Sequence, residues 1–130
     1  MTLSNSPFHT HTHTGTLSII QRFISVYKSW HERRNNFPQK SRYTLGAKID
    51  NLFLETIEYL FIASALARGK KLLVLQRASA RFDLLKFFLQ LAWELNALDT
   101  NTYTALSEPL NGIGKMLGGW IKNAEKETPT

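Results

Sequence analysis

The segment from Leu72 to Asn96, LLVLQRASARFDLLKFFLQLAWELN, constrains the fold more than any other part of the chain. At about 100° per residue, Leu75, Ala78, Phe82, Leu85, Leu89 and Ala92 fall on one side of a helix. Leu84, Phe87, Phe88, Leu91 and Leu95 form a second apolar stripe on roughly the opposite side. One stripe supplies the core of a helical bundle. A helix that is apolar on both sides needs burial on both sides, so the second stripe requires a partner beyond its own bundle. The pattern predicts a homo-oligomer with Leu84, Phe87, Phe88, Leu91 and Leu95 at the subunit interface, closed as a ring or dimer.

Three further helices surround this one in the sequence. The first is expected over Leu17 to Arg34, with Ile20, Phe23, Ile24, Tyr27 and Trp30 on its inner face. It stops at NNFP, because the residue before a proline avoids helical dihedrals. A second helix is expected from Lys40 to Arg68, with Leu45, Ile49, Leu52, Phe53, Ile57, Leu60 and Phe61 inward and Gly69 as a left-handed end. The last starts at an N-cap, Asp99 or Thr100, and reaches about Lys122, with Tyr103, Leu106, Leu110, Ile113, Leu117, Trp120 and Ile121 inward. Pro109 lies inside that pattern and predicts a kink or a displaced start. No segment alternates with period two, so the chain reads as all-α. Short connections between long helices predict an up-down-up-down antiparallel four-helix bundle. Residues 16–124 form that domain, between a disordered His/Thr-rich tail at 1–15 and a frayed end at 125–130.

Several function classes are poorly served by this sequence. There is no cysteine, which removes disulfides and thiolate chemistry. No apolar run approaches the roughly 20 residues that span a bilayer, and the N-terminus lacks a secretory pattern, so a cytoplasmic protein with no membrane partner is expected. His9, His11 and His13 alternate in the tail, where nothing holds a metal geometry, and no metal site is assigned to them. Di-iron bundles need Glu-x-x-His pairs, and Lys28 stands three residues before His31. No phosphate-binding glycine loop follows a strand. No catalytic residue and no cofactor are assigned, and the chain reads as a non-enzyme.

The basic residues carry the functional expectation. With a net charge of +6, the chain favours acidic partners. Arg33, Arg34, Lys40 and Arg42 surround the first turn, and Arg68, Lys70 and Lys71 surround the second. Arg77 and Arg81 continue the line of the second stripe. Such side chains can follow a phosphate backbone without reading sequence, and a ring would multiply each cluster.

The glycines of GIGKMLGGW pose a separate problem, because each one inside a helix costs about 1 kcal/mol relative to alanine. Gly114 and Gly118, like Gly112 and Gly119, flank the inner face, where small residues admit a neighbouring backbone. Gly114 and Gly118 are therefore placed at the oligomer interface.

FPQKSRYTLGAKID, RGKKLLVLQRASARFDLLKFFLQLAWEL and GIGKMLGGWIK together resemble the accessory variability determinant (Avd) proteins of diversity-generating retroelements. The resemblance covers about Phe37 to Lys122 and is most specific at Tyr43–Gly46 and Gly114–Trp120. It places the chain in the wider four-helix-bundle group that includes proteins of ribosomal RNA intervening sequences. It implies a ring of five copies, encoded by a bacterium, an archaeon or a phage. It also implies two partners, a reverse transcriptase and nucleic acid (template RNA or cDNA), in mutagenic reverse transcription and retrohoming. The alternative is an intervening-sequence bundle protein without a reverse transcriptase.

Overall fold

Proline 38 and the residue before it set the first boundary. Phe37 is extended, with φ −69° and ψ 136°, as the steric demand of a following proline requires. The computed structural model describes the backbone of residues 14–129 and the side chains of residues 18–129. α1 (Thr14–Arg33) passes through a tight turn at Arg34–Asn36 to Phe37. One helical turn, Gln39–Ser41, and a π-helical turn, Arg42–Gly46, then lead into α2 (Ala47–Ala65). α3 (Leu72–Glu94) and α4 (Thr100–Glu127) complete the architecture, and no strand occurs among the described residues. α1 begins inside the stretch read as tail, while His9, His11 and His13 lie outside the described residues.

The buried residues of α3 are Leu75, Ala78, Phe82, Leu85, Leu89 and Ala92, the six that helical spacing selects. Each of the four helices packs on two others in a cycle: α1 on α2, α2 on α3, α3 on α4, and α4 back on α1. Aromatic rings join three of them at mid-height. Phe23 lies 5.6 Å from Phe53 and 6.0 Å from Phe82, centroid to centroid. Fully burying one such side chain stabilises the fold by about 1.5–3 kcal/mol.

Several boundaries and faces differ from expectation. α2 ends at Ala65, short of Arg68, and Leu66 is extended. Gly69 does take the left-handed conformation, φ +89°, but in the turn beyond the helix. A Cβ there would stand 3.3 Å from the backbone oxygen of Glu127, so the α2–α3 turn sits against the end of α4. The start of α4 is not displaced by Pro109, an exposed position inside a continuous helix. Asp99 caps that helix by accepting the Thr102 amide at 2.7 Å. Ile24 and Phe61, expected inward, are 36% and 45% exposed. Ile19 and Val26 are buried on α1, as are Thr56 and Ala63 on α2. Among the described residues no helix is long and apolar enough to cross a membrane.

Candidate nucleic-acid and subunit interfaces

The first basic cluster is built around one carboxylate. Asp50, in the first turn of α2, accepts the Tyr27 hydroxyl at 3.1 Å and the Trp30 indole N–H at 3.2 Å. Its second oxygen pairs with Arg34 at 3.5 Å. Burial, reinforced by the Asp50 carboxylate, pushes the Tyr27 phenol above its ordinary value. These contacts fasten the end of α1 to the start of α2. Arg42 is also committed locally: its Nη2 donates to the carbonyls of Asn35 and Phe37 at 3.3 and 3.4 Å. Its Nε is buried with no hydrogen-bond partner among the described residues. Arg33 donates to Ser29 at 3.2 Å, and Lys40 is exposed. The π-helical turn carries Tyr43, 81% exposed.

The second cluster divides the same way. Lys71 donates from Nζ to the carbonyls of Ala63 and Leu66 at 2.6 and 2.7 Å. It thereby satisfies the Leu66 carbonyl and joins the Leu66 N–H, at 3.3 Å, on the Ala63 carbonyl at the end of α2. Burial pushes its ammonium below the ordinary lysine value, against the opposing pull of Glu127. Arg68 pairs with Glu127 at 3.2 Å, but its side chain is 82% exposed, so the pair contributes little. Lys70 is exposed.

The turns lie at opposite ends of α4. Arg68 meets Glu127 at its C-terminal end, and the charge of Arg33 is felt by Asp99 at its N-terminal cap. Thr102, donating from its backbone and side chain, holds the Asp99 carboxyl below the usual range, and Arg33 adds to the effect. Along 28 helical residues the separation is about 40 Å.

The outer face of α3 is apolar. Leu84, Phe87 and Leu95 are 37%, 56% and 60% exposed, and Leu73, at the start of the same stripe, is 61% exposed. Phe88 and Leu91 are partly buried. Phe88 sits toward α2, where Lys48 Nζ stands 5.8 Å from its ring centroid. Arg81 also turns to α2 and pairs with Glu55 at 3.2 Å. Arg77 is exposed and makes no ion pair among the described residues. On the other side of α3, a shallow groove of about 540 Å³ runs along α4 past Gly114 and Gly118. A Cβ at Gly114 would come within 3.2 Å of the Phe82 ring, whereas Gly118 has nothing within 4 Å. A side chain at Gly114 would thus press on the Phe82 ring inside the bundle, whereas nothing within the bundle opposes one at Gly118.

The sequence model of the bAvd-like family matches residues 17–124, which takes in all four helices. The chain belongs to the bAvd-like family. Comparison with curated proteins and with solved structures gives no match. In this bAvd-like bundle, three of the nine sequence-selected cations, Arg34, Arg42 and Lys71, are held by the fold's own acceptors. Arg81 and Arg68 are in ion pairs, and Arg33 is tied to a hydroxyl. Of the nine, Arg77, Lys40 and Lys70 are exposed with no ion pair among the described residues. Among the described residues no group of three His, Asp or Glu side chains could hold a metal ion. Sequence reasoning did not select the exposed Leu73 and Trp93, and it named Tyr43 only through the resemblance. Leu73 could have been found by extending the second stripe toward the start of α3, since Leu73, Arg77, Ala80, Leu84, Phe87 and Leu91 recur at spacings of three and four.

Proposed function

We propose that this chain is a non-enzymatic accessory subunit of a diversity-generating retroelement. Its bundle is up-down-up-down, and copies assemble through the outer stripe of α3 into a ring, five being the number that the resemblance implies. The ring binds the retroelement's reverse transcriptase and holds template RNA or cDNA by phosphate contacts from its basic surface. In that role it supports mutagenic reverse transcription and retrohoming. The family match over 17–124 carries this reading. The exposed residues Leu84, Phe87 and Leu95 of the stripe, with the exposed cations Arg77 (beyond the stripe's N-terminal end), Lys40 and Lys70, support its two physical requirements.

The test is binding of labelled RNA and capture of the reverse transcriptase encoded beside the gene. Affinity for RNA should fall steeply with salt, with little sequence preference. Arg77→Glu should weaken it, while Lys71→Gln should lower protomer stability first. Affinity indifferent to salt removes the phosphate mechanism. A gene with no neighbouring reverse transcriptase and no template and variable repeats returns the chain to the intervening-sequence type.

A further inference from the structure

Trp93 is a large, exposed aromatic at the end of the bundle that its neighbours fix in position. It falls on the helical face of Leu75, Phe82 and Leu89, which are 0%, 3% and 1% exposed, yet it is itself 37% exposed. The reason is position: α3 stops at Glu94, one residue later, so the indole stands where the core runs out. Counted along the helix it lies about 120° from Phe87, away from the centre of the outer stripe. Two contacts hold the ring. It stacks on Tyr103 with centroids 5.1 Å apart and planes 12° from parallel, and its N–H donates to the Thr100 hydroxyl at 3.1 Å.

We propose that this end of the bundle binds single-stranded nucleic acid, with an unpaired base stacking on Trp93 and the adjacent phosphate meeting Arg33. The proposal rests on the nucleic-acid reading above and refines it, because a base inside a duplex cannot offer its face to a protein ring. A ring already ordered by Tyr103 and Thr100 loses little further freedom when a base lands on it, which is the condition for an effective stacking platform. Cations stand at the same end: Arg33 and Lys40 flank the turn that joins α1 to α2, and the packing of α2 on α3 and of α4 on α1 brings that turn to the end where α3 stops and α4 starts. Glu94 accepts the Gln90 amide at 3.2 Å and Asp99 caps α4, and both carry negative charge, so a phosphate next to the stacked base has to lie away from them, toward the basic first turn. Stacking accepts any base, so the site carries no sequence code.

The experiment measures anisotropy of a labelled single strand of about 16 nucleotides, and of the same sequence as a duplex, with the parent protein, Trp93→Leu and Trp93→Phe. Circular dichroism checks that helicity is kept. Trp93→Leu should lose about 5- to 150-fold in single-strand affinity, with duplex affinity unchanged, and Trp93→Phe should recover most of the loss. A Trp93→Leu variant that holds the single strand as the parent does overturns the stacking site and leaves the nucleic-acid reading intact. Parent protein that binds neither probe at low salt removes that reading and this proposal together. Loss of reverse-transcriptase capture in Trp93→Leu, with single-strand affinity unchanged, assigns the platform to a protein partner and overturns the proposal.

Discussion

Phe87→Glu is the sharpest perturbation of the proposed assembly. A phenylalanine side chain presents roughly 200 Å² of surface, so 56% exposure leaves about 110 Å² of Phe87 bare in a lone protomer. Covering that area is worth about 3 kcal/mol at 25 cal/mol per Å². Glutamate forfeits this gain and must also shed water from a carboxylate, at a further cost of several kcal/mol. Together the losses weaken association by about 5 kcal/mol, on the order of a thousandfold or more in the dissociation constant. Inside the protomer the change removes an edge contact with Phe88, at 5.4 Å and 82°, worth only about 0.5–1.5 kcal/mol. Helicity should therefore survive. Light scattering at micromolar concentration should find a multiple of 14.9 kDa for the parent and a single protomer for the variant. Phe87→Leu, which keeps most of the apolar area, should remain assembled. If Phe87→Glu keeps the parent's mass, the outer stripe is not the seam. If the parent itself runs at 14.9 kDa, the reasoning from the surplus stripe fails outright.

Asp50→Ala strands the N–H of Trp30, a fully buried residue, together with the Tyr27 hydroxyl, and should cost about 2–4 kcal/mol. Urea unfolding at fixed protomer concentration measures it, and a loss below about 0.5 kcal/mol shows that the carboxylate fastens nothing. Gly118→Ala meets open space and should raise protomer stability by up to about 1 kcal/mol through helix propensity, whereas Gly114→Ala must displace the Phe82 ring and should gain less or lose. The reverse ranking contradicts the packing account. The Asp99 carboxyl is held lower in the fold than its ordinary 3.8, so its capping contribution is complete above that pH and disappears as pH falls through the lower folded value. The protection of the Thr102 amide, taken relative to its intrinsic exchange rate at each pH, should then fall under acid in the parent, and already at neutral pH in Asp99→Ala.

What could be read from the sequence was whatever helical periodicity encodes. The six buried residues of α3 and the inner positions Leu106, Leu110, Ile113 and Leu117 of α4 follow from spacing alone, because burial of one face dominates the energetics of a bundle. Margins were harder to read. Ile24 and Phe61 belong to their apolar stripes by spacing, but a stripe wider than the contact zone leaves its edge in water, and only the crossing of the helices decides which edge. Charged residues were harder still. Lys71 and Lys70 are neighbours of the same type, yet one caps α2 and the other is exposed. The difference is where the carbonyls of Ala63 and Leu66 point, a property of the turn that no spacing rule contains. Asp50 gathers Tyr27, Trp30 and Arg34 from 16 to 23 residues away, a convergence that exists only once α1 and α2 are packed. The π-helical turn at Arg42–Gly46 gave no sign in composition.

In the proposed ring, the distribution of charge would tie binding to assembly. Arg33 and Lys40 stand near one end of α4 and Arg68 and Lys70 near the other, about 40 Å apart along the helix. At physiological salt the screening length is about 8 Å, so within one protomer the two clusters act as separate weak sites of two or three cations each. A ring that aligns its subunits places equivalent ends side by side, and each rim then presents several copies of one cluster to the same strand. The salt dependence reports how many phosphates are engaged at once, at about 0.7 per phosphate for a single strand. Phe87→Glu, which alters no basic residue, should therefore flatten the plot of log affinity against log salt, beyond what its one added negative charge explains. Phe87→Gln, which adds no charge but still exposes polar surface at the seam, separates the two effects. If an unassembled Phe87→Gln protomer binds a long single strand with the parent's slope, each subunit engages its phosphates alone, and the ring is not what concentrates the charge.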